Sequence, residues 1–166
     1  MRIPLELILL SILTAITSLA SGQTTQPTQK PSFSITINAP EEVVNAGSNV
    51  ALEVVMTNIS NQDIAAGELL GGAELNYDID VFDGNGKPAP ETSIGRKLHG
   101  KDPNSHGLHG SIMSHSLKPG ETQKARTFLN KIYDLQPGNY TAQAQRRDPV
   151  SKTIVKSNII RFTVTP

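Results

Sequence analysis

The sequence predicts an all-β domain, a single Greek-key β-sandwich of about seven strands that occupies residues 33–166. Three stretches alternate apolar and polar residues with the period of two that is typical of half-buried strands. Turn dipeptides such as Pro119-Gly120 and Pro137-Gly138 recur between apolar stretches, and no segment after residue 22 has the pattern of a long helix. Short strands separated by regular turns indicate two antiparallel sheets packed face to face.

Composition and charge limit the possible classes of function. The chain has 166 residues, enough for one domain and a leader, and its 15 basic and 15 acidic residues cancel. Because there is no net positive charge, we expect neither nucleic acid nor an anionic membrane surface as the partner. The chain has no cysteine, which excludes disulfides, thiolate metal ligands, a cysteine nucleophile and a lipidated cysteine after the leader.

The N-terminus has the pattern of a secretory signal peptide, which we assign to residues 1–22. Arg2 precedes the apolar run of residues 7–13, and small residues around Ala20 suit a signal peptidase. The run is shorter than the roughly 20 residues of a spanning helix, and an uncleaved anchor is the alternative. Residues 23–32 are rich in Gln, Thr and Pro and are predicted to form a flexible linker. The mature chain is therefore expected to be secreted or periplasmic, without a membrane span.

The first half of the domain contains the three alternating stretches, each predicted to form a strand. Their apolar residues are Phe33, Ile35 and Ile37 in the first, Val50, Leu52, Val54 and Met56 in the second, and Leu75, Tyr77, Ile79 and Val81 in the third. Residues 42–44 are predicted to continue the first strand on the neighbouring sheet, and residues 62–73 have little pattern and three glycines. Asp83-Gly84-Asn85-Gly86 has the residues of a hairpin turn and ends the third strand.

The second half begins with residues 87–110, which have no apolar period and contain three prolines and three of the four histidines. A segment of this length without a pattern is often functional or disordered. The elements predicted after it are, in order, a short strand at residues 111–117, a Pro-Gly turn at 118–121, strands at 122–130 and 140–147, a turn at 148–151 and a final region at 153–165.

The stretch Leu135-Gln136-Pro137-Gly138-Asn139-Tyr140 is expected to organise the fold. Pro137 fixes its own φ at about −65°, and Gly138 accepts the positive φ of a type II turn. Tyr140 then opens the next strand. We expect its ring to pack in the core and its hydroxyl to bind backbone upstream, as the tyrosine of a sandwich corner does.

A series of turn and core residues carries a family resemblance. These residues are Leu117-Lys118-Pro119-Gly120-Glu121-Thr122, Tyr133-Asp134-Leu135, Pro137-Gly138-Asn139-Tyr140-Thr141 and Ser157-Asn158-Ile159-Ile160. Their order resembles small secreted bacterial immunoglobulin-like domains. Over residues 33–165 the chain is also similar to the bacterial intracellular proteinase inhibitor family and to cell-adhesion-related modules of bacterial surface proteins. The resemblance implies an immunoglobulin-like sandwich. It transfers no inhibitory residue, and the early strands lack the tryptophan of many fibronectin-type and antibody-type domains.

Four histidines and one methionine are candidate metal ligands, namely His99, His106, His109, His115 and Met113. The spacings His106-x-x-His109 and Met113-x-His115 can converge on one ion, and on a strand Met113 and His115 would share a face. Imidazole with thioether suits copper, and imidazole with the carboxylate of Asp102 suits zinc. The alternative is a polar, glycine-rich loop that contains histidines by chance, with Met113 in the core.

Four oxygen-bearing residues, Asp78, Asp80, Asp83 and Asn85, are candidate calcium ligands. The spacing lacks the downstream bidentate glutamate of an EF-hand. Asp78 and Asp80 are predicted on the polar face of a strand, and the turn explains the other two.

A small basic patch is the next candidate. Arg146 and Arg147 lie close in sequence to Lys152 and Lys156, across a predicted turn. Adjacent residues of a strand face opposite sides, so the two arginines are not expected to line one surface.

Catalytic and modification motifs are weaker still. His99, Asp102 and Ser105 lie on one predicted loop, which lacks the rigid support of a catalytic triad. Asn58-Ile59-Ser60 and Asn139-Tyr140-Thr141 match the glycosylation sequon, and we interpret both as chance matches, the second at a buried corner.

The sequence favours an exported, non-enzymatic binding or accessory domain that acts through protein–protein contacts. It contains no nucleophile elbow, phosphate loop or His-Glu-x-x-His motif, so we expect no enzyme, no catalytic residue and no cofactor. The contact surface is predicted to be the loop of residues 83–110 or an exposed sheet edge that adds a strand from a partner. The alternative is a periplasmic protein that binds copper or zinc through the histidine-rich loop. We expect a monomer.

Overall fold

The structure, a computed structural model, describes residues 30–39, 41–103 and 111–166. Its strands are β1 (Phe33–Asn38), β2 (Val43–Asn45), β3 (Ala51–Asn58), β4 (Ile64–Ala65), β5 (Glu68–Leu69), β6 (Asp78–Asp83), β7 (Ile112–Met113), β8 (Ser116–Leu117), β9 (Thr122–Phe128), β10 (Gly138–Arg147), β11 (Ile154–Lys156) and β12 (Ile160–Thr165). The helices are α1 (Ser93–Leu98) and α2 (Leu129–Ile132), and a 3₁₀ turn covers Ala73–Leu75.

Two main sheets form the predicted sandwich. The first is antiparallel and has the order β1-β3-β9. In the second, β10 pairs with β6 on one side and with β12 and β11 on the other, and β2 joins β12 in parallel. Along the chain, β1, β3 and β9 of the first sheet alternate with β2, β6 and β10 of the second, and these crossings give the Greek-key order of an immunoglobulin-like fold. The predicted fold class is confirmed.

The alternation seen in the sequence accounts for the core between the sheets. Along β3, every second residue from Leu52 to Met56 is at most 1% exposed. The residues that meet this row and its neighbours from the second sheet are Ile79, Val81, Tyr140, Ala142, Ala144, Phe162 and Val164. The predicted continuation of the first strand on the other sheet is confirmed, since β2 pairs with β12.

Tyr140 forms the predicted corner at the start of β10. Its ring stacks on Phe162 with 5.4 Å between centroids, and its hydroxyl donates a 2.8 Å hydrogen bond to the carbonyl of Gln136. The type II turn expected at Pro137-Gly138 is wrong. Gly138 has a φ of 159°, far from the roughly +80° of a type II turn. Gly138 is already the first residue of β10 and pairs there with Val164 of β12. The tyrosine hydroxyl therefore holds the corner.

Tyr140→Phe is expected to lower the free energy of unfolding by about 1 kcal/mol, because it removes one hydrogen bond and keeps the stacked ring. Urea unfolding of both proteins, with equal m-values, measures the difference. Tyr140→Leu, which also removes the ring contact with Phe162, should cost more. Equal stability of wild type and Tyr140→Phe would contradict the role of the hydroxyl.

The third predicted strand begins later than expected. Leu75 belongs to the 3₁₀ turn and β6 begins at Asp78, although Tyr77 is buried as predicted. Residues 59–77 form the connection between the sheets and carry two small ladders, β4 with β8 and β5 with β7. The short strand predicted at residues 111–117 is thus divided into β7 and β8, which pair with different partners.

Residues 87–103 are more regular than the sequence predicts. The N–H of Ala89 donates 2.9 Å to the carbonyl of Val81, and the hydroxyl of Thr92 accepts from the N–H of Gly95 at the start of α1. Gly95 lies against α2, where a Cβ atom would be 2.2 Å from the carbonyl oxygen of Ile132. A glycine is needed for this contact. Helix α1 is too short to produce an apolar period in the sequence, which is why it was not predicted.

The two glycosylation sequons lie in different surroundings. Asn58 is 1% exposed and its amide nitrogen donates to two carbonyl oxygens, in keeping with a chance match. Asn139 is exposed, so the buried position expected for the second sequon is wrong.

The predicted signal peptide of residues 1–22 lies outside the described residues and stays a prediction. The predicted linker of residues 23–32 also stays a prediction, and the structure describes only residues 30–32 of it. Ser32 is buried, and its N–H and hydroxyl donate to Asp148, so the packed structure already includes this residue. Within the described ranges, neither helix has the length and apolar character needed to cross a membrane.

Candidate functional site

The described residues do not bring the candidate metal ligands together. Nowhere in residues 30–39, 41–103 and 111–166 do three or more His, Cys, Asp or Glu side chains cluster as a metal site requires. His115 is exposed, and Met113 is 53% exposed, so a core position for Met113 is wrong. Strand β7 ends at Met113, and the two side chains do not share a strand. His106, His109 and Ser105 lie outside the described residues.

The candidate calcium ligands are explained by the turn after β6. The carboxylate oxygen Oδ1 of Asp83 accepts 2.9 Å hydrogen bonds from the N–H groups of Asn85 and Lys87. These bonds hold the pKa of Asp83 below its usual range. Asp78 and Asp80 are exposed on the strand. Turn formation thus accounts for the position of Asp83.

The two adjacent arginines face opposite sides, as predicted. The guanidinium of Arg146 lies 5.4 Å from the ring centroid of Tyr77 and donates 2.8 Å to the carbonyl of Gly67. Arg147 is exposed. Arg146 therefore fixes the connection of residues 59–77, and no joint basic patch forms.

A cleft of 660 Å³ lies between β6 and α1, and Glu91 and His99 are among its lining residues. One oxygen of Glu91 binds both His99 Nδ1, at 2.6 Å, and Lys101 Nζ, at 2.7 Å. The charges of this cluster compensate one another. Its histidine is engaged by a carboxylate, and neither a serine nor a cysteine lines the cleft. The carboxylate of Glu91 therefore joins His99, the C-cap residue of α1, to Lys101.

The stability of the domain is expected to fall in acid. Burial alone would raise the pKa values of Glu91 and Asp148, but hydrogen bonds, from Lys101 and His99 in the case of Glu91, outweigh burial and lower both. A group with a lowered pKa in the folded state stabilises fully above its unfolded pKa, and loses that contribution as the pH falls through the folded value. The melting temperature should therefore decrease below about pH 4.5, and Glu91→Gln should make the decrease shallower. An unchanged slope in this variant would contradict the prediction.

The edge of β6 is closed to further strands. The hydroxyl of Tyr133 donates a 2.5 Å hydrogen bond to the carbonyl of Ile79, and the carbonyl of Val81 accepts a hydrogen bond from the N–H of Ala89. Burial raises the pKa of the Tyr133 phenol, which stays protonated as a donor. Further along, the N–H of Asp83 donates 2.8 Å to the carbonyl of Lys87. The predicted loop of residues 83–110 therefore begins by covering a sheet edge.

The edge of β1 is capped at Ile37 by a single side chain. The amide of Asn158 accepts from the N–H of Ile37 at 2.8 Å and donates to the carbonyl of the same residue at 3.0 Å. An amide group that forms both bonds replaces a neighbouring strand at this position. The other outer strands of the second sheet, β2 and β11, have only three residues each.

The edge of β9 is open. The N–H of Leu129 donates to the carbonyl of Val50, and the N–H of Asn58 donates to the carbonyl of Glu121. These two bonds show which residues of β9 direct their backbone groups toward β3. In this alternation Gln123, Ala125 and Thr127 bond to β3, and the residues between them direct N–H and C=O to the other side. Those residues are Thr122, Lys124, Arg126 and Phe128, and all are exposed. Within the described part of the chain, β9 pairs with β3 alone.

This edge is the surface that we take as the candidate site. The sequence pattern predicts a strand at residues 122–130, which is two residues longer than β9 because α2 begins at Leu129. The pattern does not indicate that this strand is an edge. The alternating Lys124 and Arg126 are the available signal, since charged side chains, above all lysine, are common on edge strands.

No family model matches the chain, and no curated protein matches it. Among solved structures, it is similar to the CARDB domain of a Pyrococcus furiosus protein in complex with di-metal ions, at 14% identity and a TM-score of 0.43, over 81% of this chain and 89% of that one. A β-glucosidase from Listeria innocua in complex with glucose matches at 15% identity and a TM-score of 0.44, over 82% of this chain and 16% of the enzyme. The alkylpurine DNA glycosylase AlkC of Pseudomonas fluorescens, bound to DNA, matches at 14% identity and a TM-score of 0.42, over 82% of this chain and 31% of that one.

At 14–15% identity and TM-scores below 0.5, none of these similarities assigns an activity, a metal or a ligand to this chain. The resemblance to the proteinase inhibitor family stays an expectation.

Proposed function

We propose that the chain is an exported, non-enzymatic binding or accessory domain that contacts a protein partner by accepting a strand at β9. The observation that carries this proposal is the contrast between the edges of the first sheet. On β1, Asn158 occupies the outer backbone groups of Ile37, whereas β9 presents seven residues of regular strand that, among the described residues, pair with β3 alone.

A partner strand would form backbone hydrogen bonds with the outward-facing residues of β9. Thr122, Lys124 and Arg126 each offer an N–H and a C=O group to a partner, and Phe128 offers its N–H, because its C=O begins α2. Each net backbone hydrogen bond contributes about 0.5–1.5 kcal/mol. Main-chain bonds supply affinity in this mode of recognition, and side chains at alternate positions supply specificity.

Site-specific photo-crosslinking in the native host tests the proposal. A photoreactive phenylalanine analogue replaces Phe128 at the open edge, and in a control it replaces Thr36, which is exposed on the closed strand β1. We expect adducts with a protein from position 128 and not from position 36. The additional substitution Arg126→Pro should abolish them, because it removes an N–H that faces the open side. Equal adducts from both positions would contradict the proposal, as would adducts that persist with Arg126→Pro.

A further inference from the structure

The charges of Lys124 and Arg126 on β9 determine which kinds of strand can pair with the open edge. On the outer face of the first sheet, Lys124 Nζ lies 3.4 Å from Glu53 Oε1, and Arg126 is directly opposite Glu53 in the register of β3 and β9. On the β3 side, one carboxylate thus pairs with Lys124 and occupies the register position opposite Arg126. A strand added on the open side would place its own side chains at the equivalent cross-strand positions, next to both cations.

A second copy of this chain does not fit the edge. If two β9 strands paired antiparallel over their full length, residue 122 would face residue 128, and Lys124 of each copy would face Arg126 of the other. Like charges directly opposite each other are destabilising in a sheet. The edge therefore disfavours self-association, in agreement with the expectation of a monomer.

The geometry points to an extended acidic segment as the occupant of β9, with carboxylates at alternate positions beside Lys124 and Arg126. This inference rests on the proposed function and names the chemistry of the partner. Opposite charges across two strands stabilise a pair by about 0.2–1 kcal/mol. Two such pairs correspond to a preference of roughly 2- to 30-fold over an uncharged segment.

Defined peptides test this inference on the mature chain. The probes are a peptide that alternates Glu and Val, its Gln/Val and Lys/Val analogues, and a Glu/Val peptide that is N-methylated on the residues meant to bond β9. Binding is followed by the amide chemical shifts of β9. We expect the acidic peptide to bind roughly 2- to 30-fold more tightly than the Gln peptide, with the difference reduced at high salt. The Lys peptide and the N-methylated peptide should bind more weakly.

Charge-neutral variants separate the inference from the proposed function. Lys124→Gln with Arg126→Gln should abolish the preference for the acidic peptide while the Gln peptide still binds. The matched control, Lys156→Gln with Arg161→Gln, removes the same charge from exposed positions of the second sheet and should leave the preference intact. Equal binding of the acidic and Gln peptides at β9 would overturn the acidic partner and leave strand addition standing. If no peptide shifts the β9 amides, or if N-methylation has no effect, strand pairing itself is contradicted. A dimer formed through β9 would also overturn the inference.

Discussion

Asp148→Ala is expected to lower the free energy of unfolding by about 3–4 kcal/mol. Asp148 is 0% exposed and accepts four hydrogen bonds. Two come from the N–H and hydroxyl of Ser32, at 2.6 and 2.9 Å, and two from the N–H of Val150 and the hydroxyl of Ser151, both at 2.8 Å. Alanine would leave the two buried donors of Ser32 and the partly buried donors of Val150 and Ser151 without this acceptor, and the start of β1 would lose its connection to the turn after β10.

Chemical denaturation of graded variants measures this effect. Asp148→Asn keeps one acceptor oxygen but turns an NH₂ group toward two donors, so its loss should be intermediate. The exposed Asp63→Ala serves as the control and should change stability by less than about 0.5 kcal/mol. A loss for Asp148→Ala no larger than that of Asp63→Ala would contradict the structural role of this carboxylate.

Asn58→Ala should be comparably destabilising, by about 3 kcal/mol. The amide nitrogen of Asn58 donates 2.8 Å to the carbonyls of Gln62 and Leu117, and its oxygen accepts from the N–H and hydroxyl of Ser60. All four hydrogen-bonding positions of the side chain are used. Because Leu117 precedes the turn into β9, the loss of this amide should also loosen the start of the open edge.

The isosteric variant provides the sharper comparison. Asn58→Asp has no amide donor and would place a carboxylate against two carbonyl oxygens, so it should be at least as destabilising as Asn58→Ala near neutral pH. Asn61→Ala, at an exposed position three residues later, is the control and should be near neutral. If Asn58→Asp folds with wild-type stability, the assigned hydrogen bonds are wrong.

The fold could be predicted because its main signals are local. Alternation in β1 and β3, the turn at residues 83–86 and the tyrosine corner each depend on residues within a few positions of one another. The type II turn at Gly138 was wrong because pairing with β12, a tertiary contact, determines the backbone there. Helix α1 was missed because its six residues are too few to show an apolar period, and its packing through Gly95 depends on a tertiary contact with Ile132.

The candidate site could be predicted only in part. The fold class implies that a sheet edge can accept a partner strand, but which edge is open depends on long-range contacts. Tyr133 reaches Ile79 across 54 residues and Asn158 reaches Ile37 across 121. Neither contact leaves a pattern in the sequence. The histidines are recognisable in the sequence because three of the four lie in one segment. The basic residues of β9 occupy alternate positions of an ordinary strand and have no such local signal.

Residue-resolved amide hydrogen exchange of the isolated mature chain tests the central claim most directly. An open edge predicts alternating protection along β9, with slow exchange at Ala125 and Thr127, which bond β3, and fast exchange at Lys124 and Arg126. The N–H of Ile37 on β1 should be protected, since Asn158 accepts it. Uniform slow exchange along β9 would show that its edge is already covered, and would contradict the account.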